Sequence, residues 1–143
     1  AEGRRGGRTA AAETVETTGP ASALRLRLED EGVRADAEDT AIATCWCADS
    51  QGRPVPDAAP LVHFDVNGLG TILGTGSDVC DHTPVPSPDR RMRAGLCAVA
   101  VRAGAEPGVL RIYARADGLS PARLDIALQA CARRPWVRPA GVE

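Results

Sequence analysis

No lysine occurs in this chain, and all 17 basic residues are arginine. A GC-rich coding sequence accounts for that more simply than a guanidinium-specific function, so the arginine excess carries no functional weight. Aromatic residues are nearly as scarce: Trp46, Phe64, Tyr113 and Trp136 are all there are. A core with so few rings has to be built from Ala, Val and Leu. Charge of one sign is lacking too, since the formal net charge is −2 and acidic and basic residues are interleaved. The electrostatic footprint that nucleic acid or an anionic membrane requires is therefore missing, and neither is expected as a partner. No apolar run approaches the ~20 residues of a membrane span. The opening AEGRRGGRTAAAE has neither an apolar leader core nor an initiating Met, so an excised piece of a longer protein is the expectation. Five cysteines, Cys45, Cys47, Cys80, Cys97 and Cys131, include no CxxC pair and make an odd number. In a chain of 143 residues, large enough to fold without staples, they read as reduced thiols, which favours a cytoplasmic over a secreted parent.

Turn formers are abundant, with 15 Gly and 11 Pro. They exclude long helices and suit short strands joined by turns. Residues 1–20 read as the end of a preceding domain plus a linker, with AAETVETTG as the one strand there. From Ala23, Leu24, Leu26 and Leu28 alternate with Arg25, Arg27 and Glu29, the period of two of a half-buried strand. TAIATCWCAD follows, with Ala41, Ala43, Cys45 and Cys47 assigned to the core by their small size and Ile42, Thr44 and Trp46 to the other face. Asp49-Ser50-Gln51-Gly52 reads as a turn, and the proline-rich segment to Pro60 as an unpaired connection. LVHFDV, the short GTILG, GLCAVAVRAG, GVLRIYARAD and ARLDIAL continue the alternation, while residues 75–90 read as one long loop. About seven short antiparallel strands predict an all-β, immunoglobulin-like β-sandwich over residues 21–130. Residues 131–143, with Trp136, read as a tail or linker.

Several side chains invite a functional reading. Asp78, Cys80, Asp81 and His82 combine carboxylate, thiolate and imidazole within one loop, yet close sequence neighbours seldom converge on one ion, so a solvated or interface loop is expected and no metal. Ser77 and Ser87 lack the turn motif of a nucleophilic serine. Arg90, Arg91 and Arg93 form a cationic cluster suited to carboxylates across a domain interface. Trp46 is a candidate for packing on a neighbouring domain or in the core, or for stacking on a sugar, and Tyr113 for the last of these. The Gly68, Gly70, Gly74 and Gly76 series follows a strand but opens no helix, so it serves turns rather than phosphate. No cofactor and no catalytic residue are expected.

From Thr18 to about Leu128 the runs TTGPASALRLRLE, RADAEDTAIATCWCADSQGRPVPDA, LVHFDVNGLGTILGTGS, RRMRAGLCAVAVRA and GVLRIYARADGLSPARLDI come in a fixed order. This order resembles the immunoglobulin-like domain that lies C-terminal to the catalytic barrel in many bacterial β-galactosidases of glycoside hydrolase family 2. The chain departs from that pattern at Gly76-Ser77-Asp78-Val79-Cys80-Asp81-His82, where many relatives carry an Asn-Gly-Asp type sequence. The resemblance implies a parent enzyme that hydrolyses β-linked glycosides with retention, using two glutamates on a separate barrel. A barrel needs roughly 250 residues, and the single Asn67 precedes Gly68 rather than a Glu, so the catalytic motif is not here. The expected role is an accessory domain that packs on other domains of the parent or at an oligomer interface. A carbohydrate-binding module and an invasin-like adhesion repeat are the alternatives.

Overall fold

The computed structural model describes residues 2–5, 8–12 and 17–132. β1 (Glu2–Arg5) and β2 (Arg8–Ala12) form an antiparallel hairpin. Of the expected strand AAETVETTG, only Ala11 and Ala12 are in β2, residues 17–19 are in no strand, and the rest lies outside the described residues. The remaining strands are β3 (Ala23–Leu28), β4 (Thr40–Ala48), β5 (Leu61–Val66) and β6 (Gly70–Gly76). After them come β7 (Asp89–Arg91), β8 (Leu96–Ala103), β9 (Gly108–Arg115) and β10 (Ala122–Leu128). They make two four-stranded antiparallel sheets, ordered β3-β4-β8-β6 and β10-β9-β5-β7. Apart from β7 this is the ABED over GFC arrangement of an immunoglobulin sandwich.

The expected alternation holds where it was read. Ala41, Ala43, Cys45 and Cys47 of β4 are buried, and the first three stand opposite Val101, Val99 and Cys97 of β8 along the register. Leu110, Ile112 and Ala114 of β9 and Val62 and Phe64 of β5 close the core from the opposite sheet. Small side chains on β4 let Phe64, Leu24 and Met92 fill the space between the sheets without overpacking.

Two features differ from the sequence reading. Residues 75–90 are not a single loop: β6 runs to Gly76, a loop spans 77–88, and Asp89–Arg91 pairs with β5 as a short edge strand. Three residues are too few to display a period. The proline-rich connection after Gly52 is also tethered, because the Val55 N–H donates to the Cys47 carbonyl and Val55 is buried. The turn before it forms as expected, with the Gly52 N–H on the Asp49 carbonyl and Gly52 at φ +82°. Residues 133–143, with Trp136, lie outside the described residues.

Candidate functional site

Arg90 is not part of a surface cluster. As the middle residue of β7 it points inward and is 2% exposed. Its Nε donates to Thr75 Oγ1 at 3.0 Å, Nη1 to Asp81 Oδ2 at 2.8 Å and to the Thr83 carbonyl at 3.1 Å, and Nη2 to the Pro84 carbonyl at 3.0 Å. One planar fork thus ties β6 and β7 to the loop between them. Asp81, read as a ligand contact, is spent on this clamp: it also accepts from Ser77 Oγ and the Thr83 N–H. The Arg90 guanidinium, with the Thr83 bonds behind it, holds the Asp81 carboxyl well below the usual carboxylate range. Asp78 accepts the Cys80 N–H in a local turn, and His82, Val79 and Cys80 are exposed. Among the described residues no group of three or more His, Cys, Asp or Glu is placed to hold a metal ion. Arg91 is exposed and donates to the Ala59 carbonyl at 2.9 Å, and Arg93 is exposed.

The outward faces of the two sheets differ in kind. On the β5 and β9 face, Arg111, Tyr113 and Arg115 stand beside Leu61, His63 and Asp65, with Tyr113 directly opposite Asp65 and Arg115 opposite His63. His63 Nδ1 lies 2.6 Å from Asp89 Oδ1, with both side chains partly exposed. Two hollows of about 380 and 430 Å³ share His63 and Arg115. Tyr113, 40% exposed, therefore sits among ionisable groups.

The β4 and β8 face carries no charge along its middle. Ile42, Thr44 and Trp46 stand opposite Ala100, Ala98 and Leu96. A groove of about 450 Å³ runs past Trp46 and Leu96 to Pro54 and Pro56, with Arg27 and Thr44 on its side. A shallower hollow of about 230 Å³ continues the same face over Ile42, Ala98 and Ala100 to Leu73 and Val85. Val85 arrives from the 77–88 loop and lies on Gly74, where any Cβ would strike it. The Arg90 clamp holds the carbonyls of Thr83 and Pro84, so it also fixes where Val85 sits.

Sequence reading put Ile42 and Thr44 on the face of Trp46 but did not find its companions Leu73, Val85 and Leu96. A signal was present: TAIATCWCA and LCAVAV contain no charged residue on either face. Strands covered on both sides read in that way.

All five cysteines are free, with Cys45, Cys47 and Cys97 buried and Cys80 and Cys131 exposed. A hydrogen bond with Cys97, reinforced by burial, pushes the Cys45 thiol far above its ordinary range, and burial pushes Cys47 up to about 11. These three are packing groups rather than nucleophiles.

Comparison with known proteins places these features in a family. Residues 24–125 match the model of the glycoside hydrolase family 2 C-terminal domain 5. The chain is 30% identical over 131 residues to the β-galactosidase BoGH2A of Bacteroides ovatus, an alignment covering 88% of this chain and 15% of that enzyme. A glycosyl hydrolase family 2 member from Bacteroides cellulosilyticus superposes with a TM-score of 0.83 at 25% identity, over 90% of this chain and 17% of that one. A β-glucuronidase from glycoside hydrolase family 2 gives 0.81 at 27% identity, over 93% of this chain and 14% of its own. The chain thus spans about a sixth of the length of these relatives.

Proposed function

Because this chain belongs to the C-terminal domain 5 family of glycoside hydrolase family 2, we propose that it is a non-catalytic accessory domain of a β-galactosidase-like enzyme. In this reading the parent cleaves β-linked glycosides with retention on a separate barrel, and this sandwich packs against the parent's other domains or at an oligomer interface. The observation that carries it is the proportion of the match: the family model covers residues 24–125 of this chain, while an alignment over 88% of this chain spans only 15% of a β-galactosidase. Five free thiols support a cytoplasmic parent.

The test is turnover of chromogenic β-galactosides and β-glucuronides by the purified chain beside the parent enzyme, with a glycan array run on the chain. The expected outcome is hydrolysis by the parent and none by the chain, with no glycan retained. Turnover by the chain alone overturns the accessory reading. Specific glycan binding that disappears in Trp46→Ala establishes the carbohydrate-binding module instead.

A further inference from the structure

We propose that the outer face of the β3-β4-β8-β6 sheet, centred on Trp46 and Leu96, is the surface by which this domain docks on the rest of its own parent polypeptide. The proposal rests on the accessory reading above and adds which face is used and what covers it.

The two outer faces contrast. Along the middle of β4 and β8 the outward side chains Ile42, Thr44, Trp46, Leu96, Ala98 and Ala100 hold no ionisable group, and Arg102 stands only at one end, opposite Thr40, whereas on β5 and β9 Arg111, Arg115, His63 and Asp65 interrupt the apolar positions. Ile42, Leu96, Leu73 and Val85 are 42%, 47%, 40% and 65% exposed and lie on one continuous surface. A monomer seldom leaves such a contiguous patch in water, where each Å² of apolar area forgoes about 25 cal/mol of burial.

The relief of the face suits a protein element. Ala98, Ala100 and Gly76 make a low floor between the ridge of Trp46 and Leu96 and the ridge of Leu73 and Val85. A floor of small side chains admits another backbone element closely. It is a poor receptor for a sugar, whose hydroxyls need directed polar partners. Of the polar side chains near Trp46, Arg27 and Thr44 are already engaged by Glu29, and Arg25, directly opposite Trp46, donates to the Leu24 carbonyl.

Charge on the rim points the same way. Arg25, Arg27 and Arg102 rim the strip, against Glu29 as the carboxylate on that side. A cationic rim is complementary to a partner surface with an apolar ridge flanked by carboxylates. Parent chain is available to provide it, since a match covering 15% of BoGH2A leaves most of that enzyme for other domains.

Residue-resolved hydroxyl-radical footprinting tests this on the chain alone and within the full-length parent. The expected result is several-fold slower oxidation of Trp46, Leu96 and Val85 in the parent, with Tyr113 and Leu61 on the opposite sheet unchanged. Slower oxidation of Tyr113 and Leu61 instead would leave the accessory reading standing and overturn the assignment of the face. Equal oxidation of both faces in chain and parent would overturn docking altogether. Protection that appears in the chain alone as its concentration rises would assign the face to a second copy, and protection that requires added galacto-oligosaccharide would assign it to a sugar. Either outcome replaces the proposal. Leu96→Arg supplies an independent readout, because it removes the protection of Trp46 in the parent while leaving the melting of the isolated chain nearly unchanged.

Discussion

Removing the Arg90 guanidinium would strand the Asp81 carboxylate and the carbonyls of Thr83 and Pro84, which share it as donor. Breaking a buried pair from one side costs about 3–5 kcal/mol. Arg90→Met is therefore expected to lower the unfolding free energy by that order, and Arg91→Ala, at an exposed site, to change it by less than about 0.5 kcal/mol. Denaturant titration of the two variants checks this, and equal effects would show that the clamp is not structural. The sequence hid the difference: Asp89-Arg90-Arg91 reads as surface charge, and only the register of β7 with β5 turns the middle residue inward. A second residue is held against its preference. Ala94, at φ +49°, and Gly95, at φ +70°, form the two-residue turn closed by reciprocal bonds between Arg93 and Leu96. An Asn at the first of these positions suits the left-handed region better than Ala. Ala94→Asn should accordingly raise the denaturant midpoint by an amount worth about 0.5–1 kcal/mol. A fall would mean that Ala94 is chosen for the groove it lines rather than tolerated in the turn. Gly95→Ala is expected to be severe, since its Cβ would collide with the Val55 carbonyl oxygen.

Strands β4 and β8 carry three of the five thiols, and their register shields those three from reaction. Cys45 lies opposite Cys97 with both side chains facing the core, whereas Cys80 and Cys131 are in exposed segments. Alkylation of the native chain should label Cys80 and Cys131 quickly and Cys45, Cys47 and Cys97 only on unfolding, as intact-mass measurement would show. Rapid labelling of a third site would mean that the β4–β8 pair opens locally. At this scale most of the fold was legible. Leu24, Leu26 and Leu28, the Val62-Phe64 pair and the Leu110-Ile112-Ala114 series each repeat every second residue, and a period of two leaves only the choice of face. That choice was made on β4 by the small residues, and Ala41, Ala43 and both cysteines are buried. β7 was not legible because three residues show no period, and the Trp46 face was only half legible. Its members come from β4, β6, β8 and the 77–88 loop, so no single segment displays them together.

Across the whole molecule, ionisable groups set a window of stability. Burial opposes ionisation of Asp49, but the N–H groups of Gly19, Arg53 and Gln51 and the Arg53 guanidinium outweigh it and hold that carboxyl well below its usual range. Asp81 is held low by Arg90 in the same sense. A carboxyl that ionises more readily folded than unfolded adds stability above its unfolded pKa of about 3.9 and loses it as pH falls through the lower folded value. The buried thiols act in the opposite sense. Cys47, raised to about 11, and Cys45, raised further, keep their protons folded but lose them at about 8.5 when unfolded. Stability should therefore decline as pH rises past that value. With no lysine and a single tyrosine in the chain, few other groups obscure the alkaline limb. The urea midpoint, measured under reducing conditions, should be level between about pH 5 and pH 8 and fall on both sides. Asp49→Asn should flatten the acid limb, and Cys47→Ala the alkaline one. A midpoint that rises below pH 4 would contradict the carboxylate assignment, and an alkaline limb unchanged in Cys47→Ala would show that its burial is relieved in solution.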